Sequence, residues 1–393
     1  MRGLRKYLTP FAPDQSGAVS VLYELGGLIA ICDAGGCTGN VCGFDEPRWF
    51  EQKSALFSAG LRDMDAILGR DDRLVEKLVD AASKLDVKFV AIIGTPVPAV
   101  IGTDYKALGR MCEKRLNMPV ITIDTDGMEL YDVGEEKAWL ELFGTFAEKG
   151  KPNLDIEKKR GKIGVLGLTP QDISDLRAPK KIREYYQEKE GKEAICYCMG
   201  ENVCRSTYGL DNHRTAGEVE KNIVVSPAAL ATAKYLEKTF GTPYEVTYPI
   251  VEELVPDMDY RGKKILIVHQ QVIGNAMRAE IRRRCQKVNG DPSVDNNAVI
   301  TVASWFMMKQ ELSEEGDISL REEDDYMELV REEDYDIVFA DPMMKRMTED
   351  AYKMAGTGCV ADAHETERKR IFIDATHFAV SGKLREEMKK REA

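Results

Sequence analysis

Three cysteines, Cys32, Cys37 and Cys42, stand at C-x4-C-x4-C spacing in the stretch Ile31–Phe44, ICDAGGCTGNVCGF. Thiolates are the usual ligands of iron–sulfur clusters and of zinc. The glycines between and beside them, Gly36 among them, let backbone approach a bulky inorganic group and permit positive φ. We take Gly36 as a backbone contact to such a group. The spacing departs from zinc sites, whose cysteines pair at two to four residues. Two readings stand side by side. One is a metal or cluster site. The other is a glycine-rich loop with three free thiols, since unpaired cysteine often behaves as a small core residue.

A second window, Glu193–Arg205 (EAICYCMGENVCR), holds Cys196, Cys198 and Cys204. In a strand, Cys196 and Cys198 share a face, and a glycine-bearing turn brings Cys204 back. This is a second thiolate site, or two core cysteines plus a loop thiol. Cys112, Cys285 and Cys359 are isolated and read as structural. His269 ends an apolar run and precedes Gln270-Gln271; His377 follows the last apolar run. Imidazoles titrate near neutral pH, which makes both candidates for proton donation or substrate contact in a ligand cleft. His213 and His364 lie in polar and charged loops and read as solvated. Arg278, Arg282, Arg283 and Arg284 lie along one predicted helix, as a solvated face or an anion site.

The elements that must position these residues follow a repeated order. The first ~20 residues, with Pro10 and Pro13, read as irregular. Short apolar runs predict buried strands at Leu28–Cys32, Lys88–Gly94 and Pro119–Gly127, and both cysteine windows sit at strand ends. Helical patterns fall at Arg73–Leu85, Tyr105–Leu116 and Trp139–Glu148. Basic linkers at Lys149–Asn153 and Lys158–Lys162 precede a second alternation. Its strands are Lys162–Leu168, Glu193–Cys198 and Asn222–Ser226. Thr169-Pro170-Gln171-Asp172 reads as a helix start, with Thr as N-cap, Pro at N1 and Asp at N3. A third alternation takes in strands at Arg261–His269, Ala298–Ser304, Tyr335–Asp341 and Ile371–Asp374, a helix at Asn275–Lys287, an acidic helix within Glu314–Asp336 and a last helix from Lys383. Alternating β and α with wholly apolar strands calls for parallel sheets covered on both faces. The expectation is α/β, three doubly wound Rossmann-like domains over 1–157, 158–260 and 261–393. Ligands in such sheets bind at the carboxyl ends of strands.

The 393 residues carry 55 basic and 67 acidic side chains, a net charge of −12. That opposes non-specific nucleic-acid binding, which rests on phosphate neutralisation. No apolar run reaches the ~18 residues of a membrane span, and the basic N-terminus lacks the apolar core of a signal peptide. A cytoplasmic protein is expected, with nine cysteines as thiols or metal ligands instead of disulfides. There is no G-x-x-x-x-G-K-[ST] phosphate loop and no G-x-G-x-x-G after a strand, so nothing points to ATP or NAD binding by this chain.

Taken in order, these landmarks resemble one family, component 1 of nitrogenase and its relatives, which include the cofactor-assembly scaffold and the light-independent tetrapyrrole reductases. CDAGGC (Cys32–Cys37) looks like the family's segment that ligates a cluster at a subunit interface. Phe57–Leu78, Phe89–Leu108, Gly164–Arg177, Thr215–Tyr244 and Gly262–His269 are similar to the segments that follow. The resemblance implies three Rossmann-like domains around a central cleft, iron–sulfur clusters, and electrons from a separate ATP-dependent iron protein. It also implies a homodimer, or a heterodimer with a related subunit. The family's interface cluster takes three cysteines per subunit. Here the first place reads FAPDQSGA (Phe11–Ala18), the middle one matches Cys37, and the third reads Thr95-Pro96. A standard eight-iron cluster is therefore not expected. Cys32 and Cys42 would join Cys37 around a smaller cluster, of the four-iron type. Where catalytic nitrogenase subunits hold the large cofactor by a cysteine, this chain has Ser226, and His377 lies near the family's cofactor histidine. The expected function is a nitrogenase-like oxidoreductase subunit reducing a small molecule or tetrapyrrole, not dinitrogen. The alternatives are a scaffold or carrier for a metal cluster or cofactor precursor, and a cluster-free protein of this fold that binds an organic ligand.

Overall fold

The apolar runs do form strands. The structure is a computed structural model that describes residues 5–50, 52–69, 71–148, 161–199, 209–287, 297–354 and 370–377. The first sheet holds β1 (Leu28–Ile31), β2 (Ala55–Ser58), β3 (Val90–Ile93) and β4 (Val120–Ile123), in the order β2-β1-β3-β4. The second holds β5 (Lys162–Leu166), β6 (Glu193–Cys196), β7 (Lys221–Val224) and β8 (Tyr244–Val246), in the order β6-β5-β7-β8. The third holds β9 (Lys264–Val268), β10 (Val299–Ser304), β11 (Ile318–Ser319), β12 (Ile337–Ala340) and β13 (Ile371–Asp374), in the order β11-β10-β9-β12-β13. Every strand pair in the three sheets is parallel. β1, β3 and β12 are buried at every position, as strands covered on both faces must be.

The chain divides into two compact units. The larger comprises Phe11–Val224 and Ala228–Val246 and contains the first two sheets; the smaller comprises 5–10, Val225–Pro227 and 247–377 and contains the third. In the larger unit, helix α1 (Asp14–Leu22) replaces the expected irregular start. All nine of its residues are buried, so it shows no polar face and no amphipathic period. It lies against the helix Tyr131–Phe146 in direct backbone contact. A Cβ on Gly17 would stand 1.9 Å from the Tyr131 carbonyl oxygen, and one on Gly134 would stand 1.8 Å from that of Asp14. The Asp14 carboxylate accepts from the backbone N–H groups of Gln15, Asp126 and Gly127. Beside it, buried Arg48 donates to Glu46, Glu24 and the Ser20 carbonyl.

The helix expected at Thr169 is a single turn, closed by Ile173 N–H on the Thr169 carbonyl; the helix starts at Ala178. The Thr169 oxygen accepts the Asp172 N–H at 3.4 Å, as a cap would, while its hydroxyl donates to Glu135; the Asp172 carboxylate is taken by Tyr131. The acidic stretch is helical only over Glu323–Glu333. The basic helix spans Gln271–Lys287. Its arginines are engaged: Arg278 with buried Asp317, Arg282 with Glu314, and Arg283 and Arg284 with Glu280. The solvated-face reading suits Arg282, Arg283 and Arg284, whereas Arg278 is buried on Asp317. The helix expected from Lys383, Cys359, His364 and most of both linkers lie outside the described residues. No helix among the described residues is long and apolar enough to cross a membrane.

Candidate functional site

The first cysteine window follows β1, near the carboxyl ends of β1 and β3. Cys32 itself stays in the ladder, its N–H on the Ile93 carbonyl at 2.8 Å. Its side chain belongs to the core cluster with Leu28, Ala30, Leu74, Val90, Leu108 and Cys112. Burial, with Asp33 adding to it, pushes the Cys32 thiol up to about 12. Cys37 and Cys42 are half-buried. They sit on a short helix, Gly36–Asn40, and on the π-helical turn Val41–Asp45 that continues it. Partial burial and the nearby Asp33 raise both thiols above their ordinary range. Cys37 lies within hydrogen-bonding reach of Thr95, whose hydroxyl donates to the Cys32 carbonyl at 2.6 Å. The place without a cysteine at Thr95-Pro96 is thus beside Cys37.

Asp33 shapes this loop. Its buried carboxylate accepts from Thr38 N–H, the Thr38 hydroxyl and the Ser58 hydroxyl. Asp45 anchors the far end, accepting from the Ser16 hydroxyl and the Asn40 amide, each at 2.7 Å. Gly35 needs its glycine, with φ at +112°. Gly36 faces open space, as do Gly39 and Gly43. No group of three or more His, Cys, Asp or Glu side chains poised to hold a metal occurs among the described residues. This loop presents two half-buried thiols, Cys37 and Cys42, with Cys32 turned away into the core.

In the second window, Cys196 and Cys198 each bond a backbone carbonyl. The strand stops at Cys196, so the period of two does not carry to Cys198. The Cys198 thiol donates to the Val21 carbonyl of α1 at 2.8 Å, while Cys196 lies 3.8 Å from the Pro179 carbonyl. Both are buried. Cys204 lies outside the described residues.

In the smaller unit, His269 and His377 come together at the carboxyl ends of β9 and β13. Their rings stack at 4.3 Å between centroids and 11° between planes. Phe306 meets His377 edge-on at 4.8 Å. His377 N–H donates to Asp341, which follows β12. The Gln270 N–H donates to Nδ1 of His269 at 2.9 Å, leaving the ring proton on Nε2. The Gln270 amide donates to the Val225 carbonyl at 2.7 Å, which ties fully buried Ser226 into the same unit. The order of the sheet reverses between β9 and β12, the switch point where ligands bind in open α/β sheets. The expectation that these imidazoles titrate near neutrality does not hold. Burial lowers His269 to about 4 and, with His269 beside it, takes His377 well below its ordinary value. Both rings are neutral at pH 7.

His213 is a further correction. The loop LDNHRTAG forms a short helix, Leu210–Arg214, that turns the ring inward against Phe143 at 4.9 Å and Tyr197 at 5.3 Å. Burial lowers it to about 3.

The model of the family described as nitrogenase component 1 type oxidoreductase matches residues 16–251. This chain is a member of that family. The family is one whose members bind iron–sulfur clusters. Distant relatives of this nitrogenase component 1-like chain include two nitrogenase iron–molybdenum cofactor biosynthesis proteins, NifE. That of Bradyrhizobium diazoefficiens is 23% identical over 194 residues, 48% of this chain and 32% of the relative. That of Clostridium pasteurianum is 26% identical over 200 residues, 50% and 40% respectively. The match thus spans under half the length of these relatives. Among solved structures, nitrogenase Cp1 at pH 6.5 superposes with a TM-score of 0.62 at 14% identity, covering 89% of this chain and 85% of that one. The pH 5 structure gives 0.61. The likeness shows the fold: α/β with three all-parallel sheets, as in nitrogenase component 1.

The donor set of this nitrogenase component 1-like chain fits an iron–sulfur cluster only in part. A four-iron cluster takes four thiolates; Cys37 and Cys42 are accessible, and neither Phe11–Ala18 nor Thr95-Pro96 adds a cysteine.

Proposed function

We propose that the chain is a cluster-binding electron-transfer subunit of its family. Cys37 and Cys42 are its thiolate ligands, and the remaining ligands come from a second chain, identical or related. The observation that carries this reading is the pair of half-buried thiols near the carboxyl end of β1, set among glycines whose Cα atoms face open space. When bound, an iron–sulfur cluster supplies one-electron transfer. The protein's own part is to hold the loop. Asp33, pinned by Thr38 and Ser58, fixes its start, and Asp45, held by Ser16 and Asn40, fixes its end. Cys32 supports the loop from the core and is not a ligand.

Electrons come from a separate ATP-dependent iron protein, in keeping with the lack of a phosphate loop here. The substrate is a small molecule or tetrapyrrole, and dinitrogen is not, since Ser226 stands where a cofactor-binding cysteine is needed. His269, His377 and Ser226 are the contact residues of the smaller unit. At neutral pH the two histidines act there as neutral hydrogen-bonding and stacking groups, not as acids.

The test is iron and acid-labile sulfide per chain after purification without oxygen, with EPR spectra before and after dithionite. Cys37→Ala and Cys42→Ala should lose the iron, and Cys32→Ala should keep it. An iron-free wild type, even after reconstitution, sinks the reading. A second reading, a scaffold or carrier of a cluster or cofactor precursor, is favoured by the names of the two curated relatives. Transfer of the bound cluster to an apo-acceptor without turnover would support it over the first.

A further inference from the structure

Residues 5–10 belong to the smaller unit, although Phe11, which follows them, belongs to the larger. They form neither helix nor strand. Their hold on the unit is concentrated on one side chain. The backbone N–H groups of Lys6, Tyr7 and Leu8 all donate to the Glu323 carboxylate, at 2.8, 2.9 and 2.7 Å. Lys6, Tyr7 and Leu8 make no backbone–backbone hydrogen bond with another described residue. Glu323 is 8% exposed and opens the helix Glu323–Glu333, where the helix dipole favours a negative charge. A second tie runs from the Tyr7 phenol to Asp350 of the helix Lys345–Met354, at 2.9 Å. Leu8 is the one buried residue of the segment.

We propose that residues 5–10 are a strap, caught on Glu323, that opens and recloses while the rest of the smaller unit stays folded. A strand inside a sheet is held by backbone bonds to its neighbours and lets go only when the sheet does. Lys6, Tyr7 and Leu8 have no such neighbours. Hydrogen bonds to a charged acceptor are stronger than neutral ones, yet here all three end on one carboxylate, so they make and break together. A segment with few buried apolar contacts opens locally, at a free energy below that of global unfolding. Closed, the strap joins two helices that precede and follow β12 in the chain. β12 is followed by Asp341, whose carboxylate holds the His377 N–H, and the helix Lys345–Met354 comes next, after the turn Pro342–Met344. Opening unties that helix from Glu323–Glu333. The strap is thus placed to set how firmly the Asp341 end of β12 is held, with or without a ligand at the histidines.

The experiment is hydrogen–deuterium exchange of the full chain, read in the peptide that spans 5–10 and in those of β9 and β12, for the wild type, Glu323→Ala and Tyr7→Phe. In the wild type the Lys6, Tyr7 and Leu8 amides should exchange more slowly than in a free peptide and faster than the two core strands. Glu323→Ala should speed them by about tenfold or more, Tyr7→Phe by less, and neither should move β9 or β12. Trypsin supplies a second readout, since cleavage after Lys6 needs an open strap and should accelerate in the same order. Wild-type amides as fast as a free peptide, or as slow as β9 and β12, overturn the proposal. So does unchanged exchange in Glu323→Ala, which would move the catch elsewhere. If Glu323→Ala does not fold, Glu323→Gln takes its place, and the wild-type comparison alone still decides.

Discussion

Acidification should destabilise the larger unit through a single ring. His213 is buried between Phe143 and Tyr197 and titrates at about 3, against 6.5 for a free imidazole. Below pH 6.5 the unfolded chain takes up a proton there and the folded chain does not. Stability is therefore intact above 6.5 and is lost as pH falls toward 3. Each pH unit in that window costs roughly 1.4 kcal/mol, so lowering pH from 6.5 to 5 costs about 2 kcal/mol at this site. His213→Phe puts an aromatic ring of similar size in the same packing and removes the titration. Urea unfolding of both proteins at about pH 7.5, 6 and 5, followed by a probe in the larger unit, is the assay. His269 and His377 titrate alike in both proteins, so they cancel in the difference. The variant should gain about 2 kcal/mol on the wild type between pH 7.5 and 5. If the two lose stability in parallel, the ring is not held neutral in an apolar setting, and the reasoning fails.

Other outcomes follow from the same packing. Gly134→Ala pushes a methyl group into the Asp14 carbonyl and should cost about 3 kcal/mol or more, read by chemical denaturation. Arg48→Met leaves Glu46 and Glu24 buried without their partner; a loss of about 3–5 kcal/mol is expected, and a near-neutral change would mean that water reaches this pair. Cys32→Ala should cost about 1 kcal/mol through the core cavity with iron content unchanged, whereas Cys37→Ala should leave stability of the iron-free protein nearly intact and abolish iron.

The apolar strands were readable because a covered parallel sheet leaves a continuous hydrophobic run, as in LIAI and VAII. The helix Tyr105–Leu116 was readable to the residue, with Asp104 capping its first turn. α1 was hidden by the opposite circumstance: buried on every side, DQSGAVSVL has no period to detect. Its two clues were Pro13 just before the first turn and small residues that allow close helix contact. β2, ALFS, was missed because its edge position leaves Phe57 and Ser58 exposed. At Thr169 the cap was read correctly, its oxygen accepting the Asp172 N–H, but it caps a single turn, and no local rule announces the further bond to Glu135 on a helix some thirty residues upstream in the chain. His213 was misread for a related reason: its neighbours in sequence are polar, and only the short helix shows that it points inward. For the cysteines, spacing identified the loop but not the direction of each thiol, and Cys32 fell on the core side of the last strand residue.

The close crossing of α1 with the helix Tyr131–Phe146 also bears on how the protein is made. A nine-residue helix with every side chain buried cannot persist alone in water. Its partner is synthesised about a hundred residues later, some 5–20 s at ordinary rates of elongation. For that interval the segment DQSGAVSVL, buried in the finished fold, leaves the ribosome with nothing to cover it, exposed to chaperones and to its neighbours on the same message. Completion of the helix Tyr131–Phe146 is then the moment at which α1 can be covered, and a translational pause placed shortly before it would prolong the interval in which this segment lacks its partner.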